Sequence, residues 1–455
     1  MKYTEHLQEL RRSLSVKEEK KGLKHTINKK CPILPFPTRN PERAKFAEGF
    51  SGVTGEFARI VNGNKLESKV SIDDVVEKIT EQVRPDEEDQ PYFEKLVRSF
   101  LVDDLKSMKV FHPHILQYMP LAIGKEAKGE QEIALFIRDV LLQKDEILAG
   151  YFEKSVADHL MAKLILENLD HLESSQFHQK YHGLIPEISN LFQEDIIYLA
   201  KHREYFINHI HLFLAYYYFF YITQVTLKLN QKQKSNRNTI HKVVYTLDWE
   251  STSKNRNGYS LGYKRIKEAA RNLLVHVNCL EHLNTLFGAT RTMTYPELKS
   301  HFEELPSENQ EDLLEILRTW ITEYRYHTSL PEIELTNTYD DLVTQLFESL
   351  KEGVREETKS RYALSIEEVG KKYFLKTRGA LGYMLNVTQE FLLLLTAVSI
   401  KNERKSLKEV FREFERRGVF FDRYSKEAVV ELFDKINILD KKSDSGDAQY
   451  VKPIL

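Results

Sequence analysis

Residues 388–455 read TQEFLLLLTAVSIKNERKSLKEVFREFERRGVFFDRYSKEAVVELFDKINILDKKSDSGDAQYVKPIL. Thr388 to Ile400 is nearly all apolar, which predicts a central helix. Ser406 opens a second helix with a capping box, because SLKE places Glu409 three residues on and each side chain can satisfy the other's open backbone N–H. Leu407, Val410, Phe411 and Phe414 then recur at i, i+3, i+4, i+7, one apolar stripe. Gly418 is the expected stop. Ser425 is the expected cap of a third helix, Ser425 to Asn437, with Val429, Leu432, Phe433 and Ile436 at the same spacing. Two short extended runs follow around the Ser-Asp-Ser-Gly-Asp turn, where Gly446 allows positive φ. Helix, helix, helix, hairpin is the order of a winged helix-turn-helix, a module that holds nucleic acid or another protein.

Around this unit the chain reads as mainly α. It has 455 residues, enough for two or three domains, and 41% hydrophobic content, enough for a sizeable core. Residues 1–50 read as a basic, proline-containing N-terminal arm, 51–385 as a multi-helix body, and 386–455 as the winged-helix domain. From Ser71 onward, segments such as SIDDVVEKITEQV and PYFEKLVRSFLVDDLKSM keep a 3.6-residue period, and strands are few. Leu212 to Leu227, LFLAYYYFFYITQVTL, carries no charge. It falls short of the roughly 20 residues a bilayer requires and holds four tyrosines, so a helix buried in a helical core is expected and no membrane contact. Two cysteines, Cys31 and Cys279, argue for a reducing compartment, and the charged start MKYTEHLQELRRSL is no signal peptide. The chain is therefore expected in the cytoplasm.

A net charge of −2 supplies no global field for a polyanion, so nucleic-acid contact must come from local patches. The strongest is a polar, basic insertion near residues 228–262, which reads as a solvated loop between two halves of the helical body slightly sooner than as a phosphate-binding surface. Lys228 to Arg271 holds eleven Lys/Arg against three Asp/Glu and includes Lys234, Arg237, Lys254 and Arg256. Within it VVYTLDWE reads as a short strand or an extended buried segment. The second patch lies in the C-terminal unit, where Lys401 to Lys426 holds nine basic against five acidic residues. Arg416, Arg417 and Arg423 precede the third helix, Lys426 and Lys435 lie on it, and Lys441 and Lys442 lie on the wing. The helix itself exposes Glu427, Glu431 and Asp434, so weak backbone contact is expected rather than base reading.

Catalytic motifs are scarce. GYSLGYKR at Gly258 to Arg265 lacks the spacing of a phosphate-cradling loop, and there is no nucleophile elbow, zincin motif or paired Cys-x-x-Cys. His112 and His114 flank Pro113 without a third ligand to complete a metal site. His202 and His209 lie two helical turns apart, about 10.5 Å, too far to share one ion. Asp248 and Glu250, with Lys254, form the nearest approach to a metal-dependent nuclease centre, although the glutamate-any-lysine triplet is absent. In the ordinary alternative Trp249 anchors the segment and the acids pair with nearby Lys/Arg. Arg203 with His209 resembles the pair used by HEPN ribonucleases, at an angular offset of roughly 120° on a helix. No catalytic residue, cofactor or metal is assigned. The alternatives are a metal-dependent nuclease, a HEPN-like RNase and a winged-helix transcription regulator.

LNVTQEFLLLLTAVSI, FERRGVFFDRYSKEAVVELF and the ending KSDSGDAQYVKPIL, with YTLDWESTSK, LPFPT near the start and the overall length, resemble the DptG (DndG) family. That family is a component of bacterial DNA phosphorothioation-dependent restriction systems. The resemblance covers the full chain and implies a cytoplasmic antiphage defence protein. It implies two larger partners, at least one an ATPase or helicase-like protein, acting against DNA that lacks the sulfur modification. It carries no catalytic residues. The function expected is a non-catalytic, DNA-associating scaffold subunit of that complex, with activity supplied by its partners.

Overall fold

A helix without a charge between Leu212 and Leu227 must bury every face, and the chain is built around it. The structure, a computed structural model, describes residues 2–17, 21–25, 32–102, 108–142, 146, 148–153, 160–441 and 449–455. The central helix runs from Arg203 to Leu229, and each residue from Leu212 onward is buried. Several of its buried polar groups are satisfied internally. Tyr217 donates to Asp195 Oδ2 at 2.5 Å, and Tyr221 accepts from Leu184 N at 2.6 Å. Gln224 pairs with both backbone groups of His241 at 2.8 and 3.0 Å. Among the described residues no helix is long and apolar enough to cross a membrane, and eighteen α-helices stand against nine short strands, so the fold is mainly α.

The described residues of the basic, proline-containing arm pack onto the body. Lys2–Ser13 is a helix whose Tyr3, Leu7 and Leu10, with Leu14 just beyond, are buried against the helices Leu273–Leu286 and Ser307–His327. Ile33, Leu34 and Phe36 of the proline-rich segment are also core residues. Four apolar positions on one face suffice to dock a helix whose other faces are charged. A separate, smaller core gathers Val75, Val76, Ile79, Val97, Leu101 and Leu166 beside the main one.

VVYTLDWE contributes the strand Val244–Leu247, buried at all four positions. It is interior to a four-stranded sheet. On one side it runs parallel to Tyr383–Val387, which also pairs antiparallel with Leu375–Thr377. On the other it runs parallel to Phe420–Phe421, with Val244 opposite Phe420 and Tyr245 opposite Phe421. A strand flanked by parallel neighbours is covered on both faces, and VVYTL is correspondingly an unbroken apolar and Thr run.

The C-terminal helices form where the spacing placed them. The entry helix is Gln389–Ile400, capped by Thr388; the second is Leu407–Arg416; the third is Arg423–Lys435. Lys405–Ser406, Leu439–Lys441 and Gln449–Val451 make a three-stranded antiparallel sheet in which the last strand lies in the middle. The SDSGD turn and Lys442 lie outside the described residues, as does the side chain of Lys441. This unit is not a detached domain beginning at Asn386. Asn386 sits inside a strand of the body's sheet, and one continuous apolar core runs from Tyr3 to Val451. Phe391 of the entry helix packs on Tyr216 of the central helix with ring centroids 4.5 Å apart.

Candidate nucleic-acid interface

The turn between the second and third helices is where the C-terminal unit joins the body. Ser406 and Glu409 form the capping box, with Ser406 N donating to Glu409 Oε2 at 2.8 Å. The second helix ends at Gly418, whose φ of +78° favours glycine and whose missing Cβ would lie 2.2 Å from a Phe220 ring carbon. Just before it, Arg417 is 1% exposed. Its Nε and Nη2 meet the two Asp195 oxygens at 2.6 and 2.8 Å, and Nη1 meets Glu413 Oε2 at 2.6 Å. Tyr217 donates to the same aspartate. Burial lowers the Arg417 pKa, but Asp195, Tyr217 and Glu413 together drive it well above the usual value, so the charge is permanent and internal. Arg417 therefore cannot serve as the DNA contact that its place beside Arg416 suggests.

A second clamp corrects two more expectations. The cap of the third helix is Asp422, not Ser425; its Oδ1 accepts from Ser425 N at 3.0 Å. Arg256, expected to face DNA, instead donates to Asp422 at 2.9 Å from Nε and 2.5 Å from Nη2, and reaches Glu250 Oε2 at 3.2 Å. Ser425 Oγ donates to Glu250 Oε1 at 2.8 Å. The side chains of Arg256, Glu250 and Asp422 are all under a tenth exposed. Burial raises the Asp422 carboxyl, while Arg256 and the Ser425 N–H outweigh it and hold the group below the usual range. One side of the third helix's first turn is thus closed by the body. Arg423 and Tyr424 on that turn stay exposed.

The nuclease and RNase candidates diverge. The strand ends at Leu247, so Asp248 and Glu250 leave it in a turn and take separate partners. Asp248 Oδ1 accepts from Lys376 Nζ at 2.5 Å and from Asn386 Nδ2 at 3.3 Å, whereas Glu250 joins the Arg256 clamp. Trp249 is 45% exposed, and Asp248 and Glu250 hold the turn through Lys376 and Arg256. His209 stacks on Tyr205 at 3.9 Å, and its Nδ1 lies 2.9 Å from the Tyr205 carbonyl of its own helix. His112 Nδ1 accepts from His114 N, and His114 Nδ1 lies 2.9 Å from Phe152 O. Among the described residues no group of three His, Cys, Asp or Glu could hold a metal ion.

The open side of the C-terminal unit is different. Two adjoining cavities, of about 700 and 560 Å³, meet at Leu407, Phe411 and Lys426 to form a groove along the second helix. Phe411 is its apolar floor, 9% exposed. Lys408 and Arg412 stand on one rim and make no ion pair among the described residues. Arg423 and Lys426 stand on the other, held by Glu427 at 2.8 Å and Glu415 at 3.2 Å. Such solvent-facing pairs contribute little and exchange readily. Lys408 and Arg412 escaped the sequence reading, although their i, i+4 spacing off the apolar stripe marks them as outward-facing. Arg416 pairs with Glu413 at 3.1 Å, and Lys435 is exposed at the far end of the third helix.

The basic insertion does not act as one patch. Its 3₁₀ turn at Lys232–Lys234 packs against the helix Tyr295–Glu303, and Arg237 reaches Glu297 at 3.6 Å, while Arg256 belongs to the clamp. Lys234 and Lys254 are exposed. Neither a family model nor a curated protein matches this chain.

Proposed function

We propose that the C-terminal unit, from the entry helix Gln389–Ile400 onward, forms a winged helix, and that the protein is a non-catalytic, DNA-associating scaffold subunit of a phosphorothioation-dependent restriction complex. The observation that carries the first half is topological. A strand precedes the second helix, a hairpin follows the third, and the last strand lies between the other two. The second half rests on the DptG (DndG) resemblance together with the open basic groove. Duplex is held by its phosphates at Lys408, Arg412, Arg423 and Lys426. Base reading by the third helix is disfavoured, since the body covers one side of its first turn and Glu427, Glu431 and Asp434 face outward. Binding is then weak, indifferent to sequence and strongly salt-dependent. Hydrolysis and strand breakage belong to the larger ATPase or helicase-like partners.

Gel-shift titration of the full chain against two duplexes of unrelated sequence, at low and moderate salt, tests this. Equal affinities that fall together with salt are expected. A preference of a hundredfold for one sequence contradicts backbone docking, and no shift at low salt removes the DNA half.

A further inference from the structure

The basic insertion builds a second site, away from the winged unit. Its chain leaves the central helix after Leu229, turns at Lys232–Lys234, and closes a cavity of about 420 Å³ against the start of the Tyr295–Glu303 helix. Leu184, Ile185, Val225, Leu229, Tyr295 and Pro296 supply apolar walls. Three cations line the same space, Lys228, Lys232 and Arg237. The lining holds one carboxylate, Glu297, and that group is already engaged. Its Oε2 accepts from Thr294 N at 2.9 Å and Thr294 Oγ1 at 2.8 Å, and its Oε1 from Arg291 at 3.1 Å.

Arg237 reaches Glu297 at 3.6 Å, but the two lysines are poorly compensated. Lys228 is 7% exposed, and among the described residues it has no carboxylate partner. Its ammonium donates to the carbonyls of Asn236 at 2.6 Å and Thr239 at 2.5 Å. An ammonium has three protons, so a donor remains. Lys232 holds a left-handed backbone, φ +51°, unusual for a side-chain-bearing residue. Its Nζ lies 3.8 Å from the centroid of the Phe347 ring, and it too makes no ion pair among the described residues. A buried cation without a counter-charge is costly, and an arriving anion removes that cost.

We propose that this cavity binds a small amphiphilic anion, with its apolar body against Val225, Leu229 and Tyr295 and its carboxylate or phosphate head among Lys228, Lys232 and Arg237. The cavity lies within the ordinary size range of small-molecule sites, and its mixture of apolar wall and a few convergent charges is what such sites present. The basic insertion then serves as the wall of a ligand pocket rather than a surface for polymer. Burial lowers the Lys228 ammonium to about 8, so one cation is lost as pH rises through that value. Lys232, Arg237, Glu297 and His241 lie around it.

Calorimetric titration of the full-length protein with decanoate and with decyl phosphate, against decanol, reads this directly. At least one anion is expected to bind at pH 7 and decanol at least tenfold more weakly. Whichever anion is tighter identifies the head group. Arg237→Gln and Lys232→Gln are each expected to weaken it about tenfold. Arg237 is exposed, so its variant stays folded even if Val225→Phe, which fills the cavity and should abolish binding, does not. Affinity should also decline between pH 7 and 9. Decanol binding as tightly as both anions, no anion binding at all, or unchanged affinity in Arg237→Gln and Lys232→Gln overturns the proposal.

Discussion

On the body-facing side of the C-terminal unit, Arg417 and Arg256 are enclosed by Asp195, Glu413, Asp422 and Glu250. On the open side, Lys408 and Arg412 face solvent across a phenylalanine floor with no ion pair among the described residues. These cations lie in similar sequence surroundings, and three of them, Arg412, Arg417 and Lys408, fall within ten residues. What separates them is which face of the fold they occupy. Enclosed cations fix how the unit is seated, whereas the open ones stay exposed to solvent. A count of positive charges does not distinguish the two.

The largest effect should come from the enclosed side. Arg417→Leu leaves Asp195 buried without its guanidinium, and a loss of about 3–5 kcal/mol is expected in urea unfolding. Adding Asp195→Asn should recover part of it; a double variant as unstable as the single would show that packing, not charge, sets the seat. Gly418→Ala should lose about 2 kcal/mol or more, since it needs positive φ and pushes a methyl into Phe220. Thermal melting of that variant measures it, and an unchanged melting temperature would mean the second helix can end elsewhere. Arg256→Gln should lose about 1–3 kcal/mol and speed amide exchange in the third helix before the central one.

Acid provides a contrast of another kind. The last histidine of the chain is His327, so residues 386–455 contain none. In the body, burial lowers His211 to about 4 and His276 and His282 to about 3. Their folded pKa values lie below the unfolded value of about 6.5, so as pH falls the unfolded chain takes up protons that the folded one refuses. Stability should drop from about pH 6.5 toward 4. His276→Gln should flatten the slope in that window, and Asp422→Asn should leave the slope unchanged, because that carboxyl titrates lower still. Equal flattening by both would place the acid sensitivity in the clamp instead. The smallest effect on stability, within about 0.5 kcal/mol, is expected for Lys408→Glu with Arg412→Glu.

Much of the fold was legible because its signals are local. The central helix announces itself by sixteen uncharged residues, and the second C-terminal helix by its capping box and stripe. The N-terminal helix was hidden by charge on the faces it turns to water. Phe420–Phe421 carried no signal, since a two-residue strand pairs with residues some 175 positions earlier and only the tertiary fold brings them together. The burial of Arg417 was readable after all. Counting from Leu407, it falls at i+10, beside Val410 on the apolar stripe, whereas Lys408 and Arg412 fall off it. The Arg256–Asp422 clamp was not readable, because its halves lie 166 residues apart.

Fluorescence anisotropy of a labelled duplex across a salt series tests the open groove most directly. With four phosphate contacts the plot of log affinity against log salt should fall with a slope of roughly −3 to −4. Lys408→Glu with Arg412→Glu should make that slope shallower by about 2 while the protein stays folded. A slope unchanged in the double variant, or no duplex binding at low salt, would contradict the assignment of the groove to DNA.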